Sequence, residues 1–192
     1  MDLWRKMSQD LNYNVMFSPR GIINLAHSDA QMNVYARRGN SMRLNGIDAV
    51  LLNREQVKEI IPMADFSDNV RFPIFGGLMQ PSAGTARHDA VAWGYARQAD
   101  SMGVDIIQNC EVTGFDVAGG KINGVRTSRG DIKVKKIGLC VAGSTNILAE
   151  KLNMTLPIET HLLQACVSEP VKPILDRVVT FGAGHFYISQ SD

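Results

Sequence analysis

His88 is the side chain in this sequence best placed for chemistry, between Arg87 and Asp89 in the run Gly84-Thr85-Ala86-Arg87-His88-Asp89-Ala90-Val91-Ala92-Trp93-Gly94. Thr85 is suited to cap a helix, and Ala86 to Met102 has helical composition closed by Gly103. His88 then falls in the first turn, where backbone N–H groups lack intrahelical partners and the local field is positive. That field and the Arg87 charge both favour a neutral imidazole, which is a nucleophile.

A second feature is the run Lys136-Ile137-Gly138-Leu139-Cys140-Val141-Ala142-Gly143. It is expected as a buried strand ending in glycine and opening into a helix from Thr145 to Leu152, capped by Ser144. Glycine at such a turn lets the backbone approach a phosphate or a ring system, although a plain strand-to-helix turn has the same pattern. The sequence has no G-x-G-x-x-G, no Walker loop, no C-x-x-C and no H-E-x-x-H. His27, His88, His161 and His185 are too dispersed to suggest a metal site. Cys110, Cys140 and Cys166 sit in apolar runs and are expected as buried free thiols in a reducing cytoplasm.

The elements that must position these residues come in mixed order. A helix is expected over residues 2–12, then a hairpin of Asn14–Phe17 and Gly21–Leu25 around Ser18-Pro19-Arg20. Asp29 would cap a helix to about Asn45, with Gly46 as its stop. Ala49–Leu52 is a short strand, and Asn53-Arg54-Glu55-Gln56 has capping-box spacing before a helix that ends ahead of Pro62. Residues 63–83 look loop-rich. After the His88 helix come a strand at Val104–Ile107 and a meander of Glu111–Val117, Lys121–Ser128 and Asp131–Val134. Leu156–Ser168 and the tail Gly184–Gln190 are expected strands. A tail strand that stops at Ser191-Asp192 would leave a sheet edge without a partner, so the chain is expected to be a piece of a longer one.

Composition sets wide bounds. The chain has 192 residues, 45% hydrophobic and 20% charged, with a formal net charge of +1. That balance suits a globular chain whose main partner is neither nucleic acid nor membrane. No apolar run approaches a membrane span, and the N-terminus lacks a signal-peptide core.

Long runs of the sequence resemble the sarcosine oxidase β subunits of the heterotetrameric type, within the D-amino-acid-oxidase-like group of FAD-dependent amine oxidoreductases. The resemblance extends over the whole chain. It runs through Ser8–Gly21, Tyr35–Asn40, Gly84–Gly94, Val104–Gly114 and Phe181–Asp192. It implies a mixed α/β (α+β) fold with an FAD domain interleaved with a substrate-domain sheet. Residues 1–83 would belong mainly to the substrate domain, 84–155 to the FAD domain and 156–192 to substrate-domain strands. It implies two cofactors, FAD and a covalent FMN joined to His88 through the flavin 8α-methyl. Val112, Ala142 and Gly143 would contact FAD, chiefly by backbone. The implied activity is oxidation of sarcosine to glycine at FAD, with electrons passing to FMN and then to dioxygen, giving hydrogen peroxide. The methyl group would leave as formaldehyde or reach tetrahydrofolate. The implied partners are the other subunits, sarcosine and dioxygen. The N-terminal G-x-G-x-x-G unit of the family is not in this sequence, so the chain alone is expected to be inactive and to bind FAD weakly or not at all. A single-flavin dehydrogenase of sarcosine or another N-methyl amine, and a non-enzymatic truncated subunit, are the alternatives.

Overall fold

The computed structural model describes residues 2–190 as a mixed α/β chain with two separate sheets. Its contacts divide it into two compact units, Met1–Val104 with Glu169–Asp192, and Asp105–Ser168.

The first unit is built on a five-stranded sheet of order β2-β3-β1-β7-β8. Its strands are β1 (Ile22–Ala26), β2 (Val50–Asn53), β3 (Gly76–Gln80), β7 (Val178–Phe181) and β8 (Phe186–Ile188). Only the β1–β7 pair is parallel. Helices α1 (Asp2–Asp10), α2 (Asp29–Leu44), α3 (Arg54–Ile60) and α4 (His88–Ser101) belong to the same unit. The main core gathers Ile23 and Leu25 of β1, Leu52 of β2, Val57 of α3, Ile61 and Ile74. Burying each such side chain contributes about 1.5–3 kcal/mol. β3 was hidden in the sequence because Gly76-Gly77 resembles a turn. The pair is needed instead for close packing, since a Cβ on Gly77 would lie 2.9 Å from the Asn24 carbonyl oxygen of β1. β7 was likewise not anticipated.

The capping box at α3 is present as expected. Asn53 Oδ1 accepts from the Gln56 N–H at 2.9 Å, and Gln56 Oε1 accepts from the Asn53 N–H at 2.9 Å. The cap of α2 is Ser28, one residue before the expected Asp29, with Ser28 Oγ accepting from the Gln31 N–H at 3.2 Å. The 14–25 hairpin does not form. Met16 has a left-handed φ of 53°, and Ser18 pairs with Thr85 through bonds of 2.8 and 3.0 Å. That bridge uses the backbone groups that a local hairpin would have used.

The second unit contains the expected meander, as β4 (Val112–Ala118), β5 (Lys121–Thr127) and β6 (Gly130–Lys133), all antiparallel. It also contains α5 (Thr145–Glu150). Three expected strands are absent. Val104–Ile107, Lys136–Gly143 and Leu156–Ser168 have no ladder among the described residues, and a strand without a partner has nothing to hold its backbone groups. Leu162, Leu163 and Val167 are 94–98% exposed. For the same reason the thiols are not uniformly buried: Cys110 is half-buried, whereas Cys140 and Cys166 are exposed, and all three are free. The expected tail strand forms over the shorter span of β8, and Ser191 and Asp192, where it was expected to stop, lie outside the described residues.

Candidate functional site

His88 is the first residue of α4, in the first turn as its sequence context indicates, and it is exposed. Thr85 does not cap the helix. The bridge to Ser18 keeps Thr85 extended, the chain stays extended through Arg87 (φ −72°, ψ 113°), and Arg87 is the N-cap without a side-chain cap bond. Asp89 supplies the missing acceptor, taking the Ala90 N–H on Oδ1 at 2.9 Å. Arg87 donates to the same carboxylate through Nε at 3.2 Å and Nη2 at 2.9 Å. The Arg87 guanidinium, and then the Ala90 N–H, hold the Asp89 carboxyl below the usual carboxylate range. The carboxylate in turn raises the Arg87 pKa. The helix start thus carries a fixed ion pair next to the imidazole.

His88 opens onto a chamber of about 440 Å³ whose other walls are Trp4, Phe17, Ala83, Gly84, Ala86 and Val91. The Trp4 and Phe17 rings stack with centroids 6.0 Å apart and planes 23° apart. A small core of Met7, Leu11 and Val15 supports this wall, with Trp4, Tyr13, Phe17 and Val91 packed against it. It joins α1 to α4, where a Cβ on Gly94 would lie 3.1 Å from Leu11 Cδ1. A second cavity of about 570 Å³ shares Phe17 and Ala86 with the chamber and is mixed in character, with Arg20, Arg87, Ser18, Thr85, Ser189 and Tyr187 in its lining.

The other expected site residues lie in the second unit. Val112 is the first residue of β4 and half-buried. Ala142, Gly143 and Ser144 form a short 3-10 helix leading into α5, so the anticipated turn exists without the strand before it. Ala142 takes a left-handed φ of 44°, and its carbonyl accepts from Thr145 Oγ1 at 2.6 Å. Ser144 makes no side-chain cap bond. His88 is therefore in one unit, and Val112, Ala142 and Gly143 are in the other.

A further pocket went unrecognised in the sequence. It measures about 540 Å³, lies on the five-stranded sheet and is lined by His27, Phe72, Phe181, Phe186 and aliphatic side chains. His27 Nδ1 lies 3.2 Å from the Phe72 carbonyl and 3.3 Å from that of Pro73. Only a protonated Nδ1 can donate to them, which makes Nε2 of the neutral ring an acceptor. That Nε2 is buried and has no hydrogen-bond partner among the described residues. The Phe72-Pro73-Ile74-Phe75 cluster was the sequence signal. Nothing in the sequence linked it to His27. Among the described residues no cluster of His, Cys, Asp and Glu could hold a metal ion, and no helix is long and apolar enough to cross a membrane.

The entire chain, residues 1–192, matches the family described as FAD dependent oxidoreductase. The chain belongs to that family. Sarcosine oxidase subunit beta of Rhizobium meliloti (strain 1021) is 60% identical over 192 residues, which cover 100% of this chain and 46% of that protein. The corresponding subunit of Arthrobacter sp is 46% identical over 191 residues, 100% of this chain and 47% of that protein. The chain thus spans about half the length of these relatives. Among solved structures, L-proline dehydrogenase from P. horikoshii superposes with a TM-score of 0.79 at 23% identity, over 99% of this chain and 50% of that one. The mixed α/β architecture is therefore a fold of FAD-dependent oxidoreductases.

The residues fit a flavin in two ways. Gly143 is exposed and lacks a Cβ, so its backbone can be approached closely, although the Thr160 methyl lies 3.2 Å from where a Cβ would stand. The His88 chamber combines an imidazole with a stacked aromatic wall in the size range of small-molecule sites.

Proposed function

We propose that this chain is part of the β subunit of a flavoenzyme that oxidises sarcosine to glycine. The observation that carries the reading is the 60% identity to Sarcosine oxidase subunit beta of Rhizobium meliloti over every residue of this chain. The family itself supports FAD as a cofactor. In this reading residues 84–155 belong to the FAD domain, and residues 1–83 and 156–192 to the substrate domain. The enzyme is cytoplasmic and works as a complex with other subunits.

His88 would hold FMN by a bond from an imidazole nitrogen to the flavin 8α carbon. Val112, Ala142 and Gly143 would hold FAD through backbone contacts. When bound, the flavins supply the two-electron chemistry that oxidises the amine CH–NH bond and passes electrons to dioxygen, giving hydrogen peroxide. The methyl group leaves as formaldehyde or reaches tetrahydrofolate. The chain's own contribution at His88 is to position the imidazole. The first turn of α4 sets the imidazole on the wall of the chamber, beside the Arg87–Asp89 ion pair. The Trp4–Phe17 stack excludes water from one side of the chamber.

The test is anaerobic mixing of sarcosine with the full-length subunit in its complex. Sarcosine should bleach the flavin absorbance, and admitting dioxygen should restore it with one peroxide formed per sarcosine. No bleaching with sarcosine would overturn the proposal. Bleaching without reoxidation by dioxygen would instead indicate a dehydrogenase that hands electrons to a carrier.

A further inference from the structure

The proposed flavin chemistry makes no use of the pocket of about 540 Å³ on the five-stranded sheet. Leu25 of β1, Phe181 of β7 and Phe186 of β8 stand in one row across its floor, with the paired Val179 and Ile188 beside them. Side chains alternate along a strand, so Thr180 and Tyr187 face the other side of the sheet. Tyr187 lines the cavity next to the His88 chamber, and the sheet therefore separates the pocket from that cavity. The other walls come from the loop between α3 and β3, with Met63, Val70 and Phe72, and from Ile174 and Leu175.

These walls are tied down by named side chains. Arg54 of α3 pairs with Asp68 at 2.9 Å and donates to the Phe66 carbonyl. His27 Nδ1 meets the Phe72 and Pro73 carbonyls at 3.2 and 3.3 Å. The Gln190 side chain accepts from the Ile174 and Leu175 N–H groups at 2.9 and 3.0 Å. It also donates to the Val171 and Lys172 carbonyls at 3.3 and 3.1 Å. Walls fixed in this way lose little freedom when a ligand enters. Met63, Ile174, Phe186 and Ile188 are nonetheless 50–58% exposed around the cavity. Apolar area gathered at one opening is unfavourable in water, and an apolar group bound there removes it from water. Arg71 supplies charge at the mouth. Its guanidinium lies over the Phe72 ring, 5.3 Å from the centroid, and pairs with no carboxylate among the described residues. Stacking uses the face of the guanidinium and leaves its N–H fork for a bidentate carboxylate. Asp65, the carboxylate in the same lining, is engaged within its own loop, accepting the Ser67 N–H at 2.8 Å.

We propose that this pocket binds a medium-chain aliphatic carboxylate, with the tail among Phe181, Phe186 and Ile188 and the carboxylate on Arg71. The apolar floor gives the tail its affinity, and the guanidinium at the mouth selects an anionic head over an uncharged one. The bound chain would hold the α3–β3 loop against β7 and β8, and so stabilise this unit by mass action.

The experiment is a calorimetric titration of the full-length subunit in its complex with octanoate and with octanol, which has the same tail and no charge. Octanoate should bind at one site per subunit, and octanol at least about tenfold more weakly, a ratio that corresponds to the loss of one charge-assisted contact. Arg71→Gln should weaken octanoate by about the same factor and leave octanol unchanged. Ile174→Trp, which puts a ring into the mouth, should weaken both, and a thermal melt of each variant separates loss of the site from loss of the fold. No saturable octanoate binding by the wild type would overturn the proposal, and is the result expected if another segment of the subunit fills the pocket. Octanoate affinity unchanged in both variants would mean that it binds elsewhere, which overturns the proposal as well. Equal affinity for octanol and octanoate, unmoved by Arg71→Gln, would overturn the carboxylate assignment.

Discussion

Gly84 shows how tightly the wall of the His88 chamber is set. A Cβ added there would lie 2.0 Å from the Ser18 carbonyl oxygen and 2.8 Å from Pro19 Cα, both backbone atoms with little freedom to shift. Gly84→Ala should therefore break the paired bonds between Ser18 and Thr85 and cost about 3 kcal/mol by overpacking. Urea unfolding of the full-length chain measures that loss, and a change below about 0.5 kcal/mol, the usual range of a neutral surface substitution, would contradict it. The placement of His88 in a helical first turn was legible because a run of helix formers follows it. The cap was not legible, since Thr85 is committed to a bridge with a residue far away in sequence. His27 was opaque for a related reason. Its interest comes from the Phe72 and Pro73 carbonyls and the Phe181 ring, which meet it only in the folded chain.

The elements around the sheet are pinned by a few side chains. Asp48, just ahead of β2, accepts from the Ser82 N–H at 2.6 Å and from the Ser82 hydroxyl, tying the start of β2 to the end of β3. Desolvation by burial raises the Asp48 pKa, but the two Ser82 hydrogen bonds, with smaller help from the Asp48 backbone N–H and the Arg5 charge, leave the net pKa below the ordinary value. A carboxylate whose folded-state pKa is depressed stabilises the fold above its unfolded value of about 3.9. That contribution is lost as pH falls through the lower folded-state value. Stability should accordingly drop on acidification below about pH 4, and Asp48→Asn should flatten this part of the profile. Urea midpoints between pH 5 and pH 2 check it, with identical acid slopes in wild type and variant as the contrary result. At this scale the readable elements were those whose signals are local. The capping box of α3 and the glycine turns of the β4–β6 meander need only neighbours in sequence. β3 and β7 are defined by partners across the sheet, and three apolar segments expected as strands lack such partners among the described residues.

The whole molecule separates into units that hold different parts of the proposed chemistry. One carries His88 with its stacked aromatic wall, and the other carries Val112, Ala142 and Gly143. The mixed α/β class was legible from alternating helix and strand signals, and the family from long matching runs. Sheet order was not, because a parallel pairing of β1 with β7 joins residues near opposite ends of the chain. With about half of each relative's length represented here, the flavin sites are best examined in the full-length subunit. The most direct measurement is the visible spectrum of that subunit, assembled with its partners and then denatured, together with the mass of the peptide containing His88. The account predicts a yellow colour that survives denaturation and a mass increase of one FMN on that peptide. Complete release of flavin on denaturation, with His88 unmodified, would contradict it.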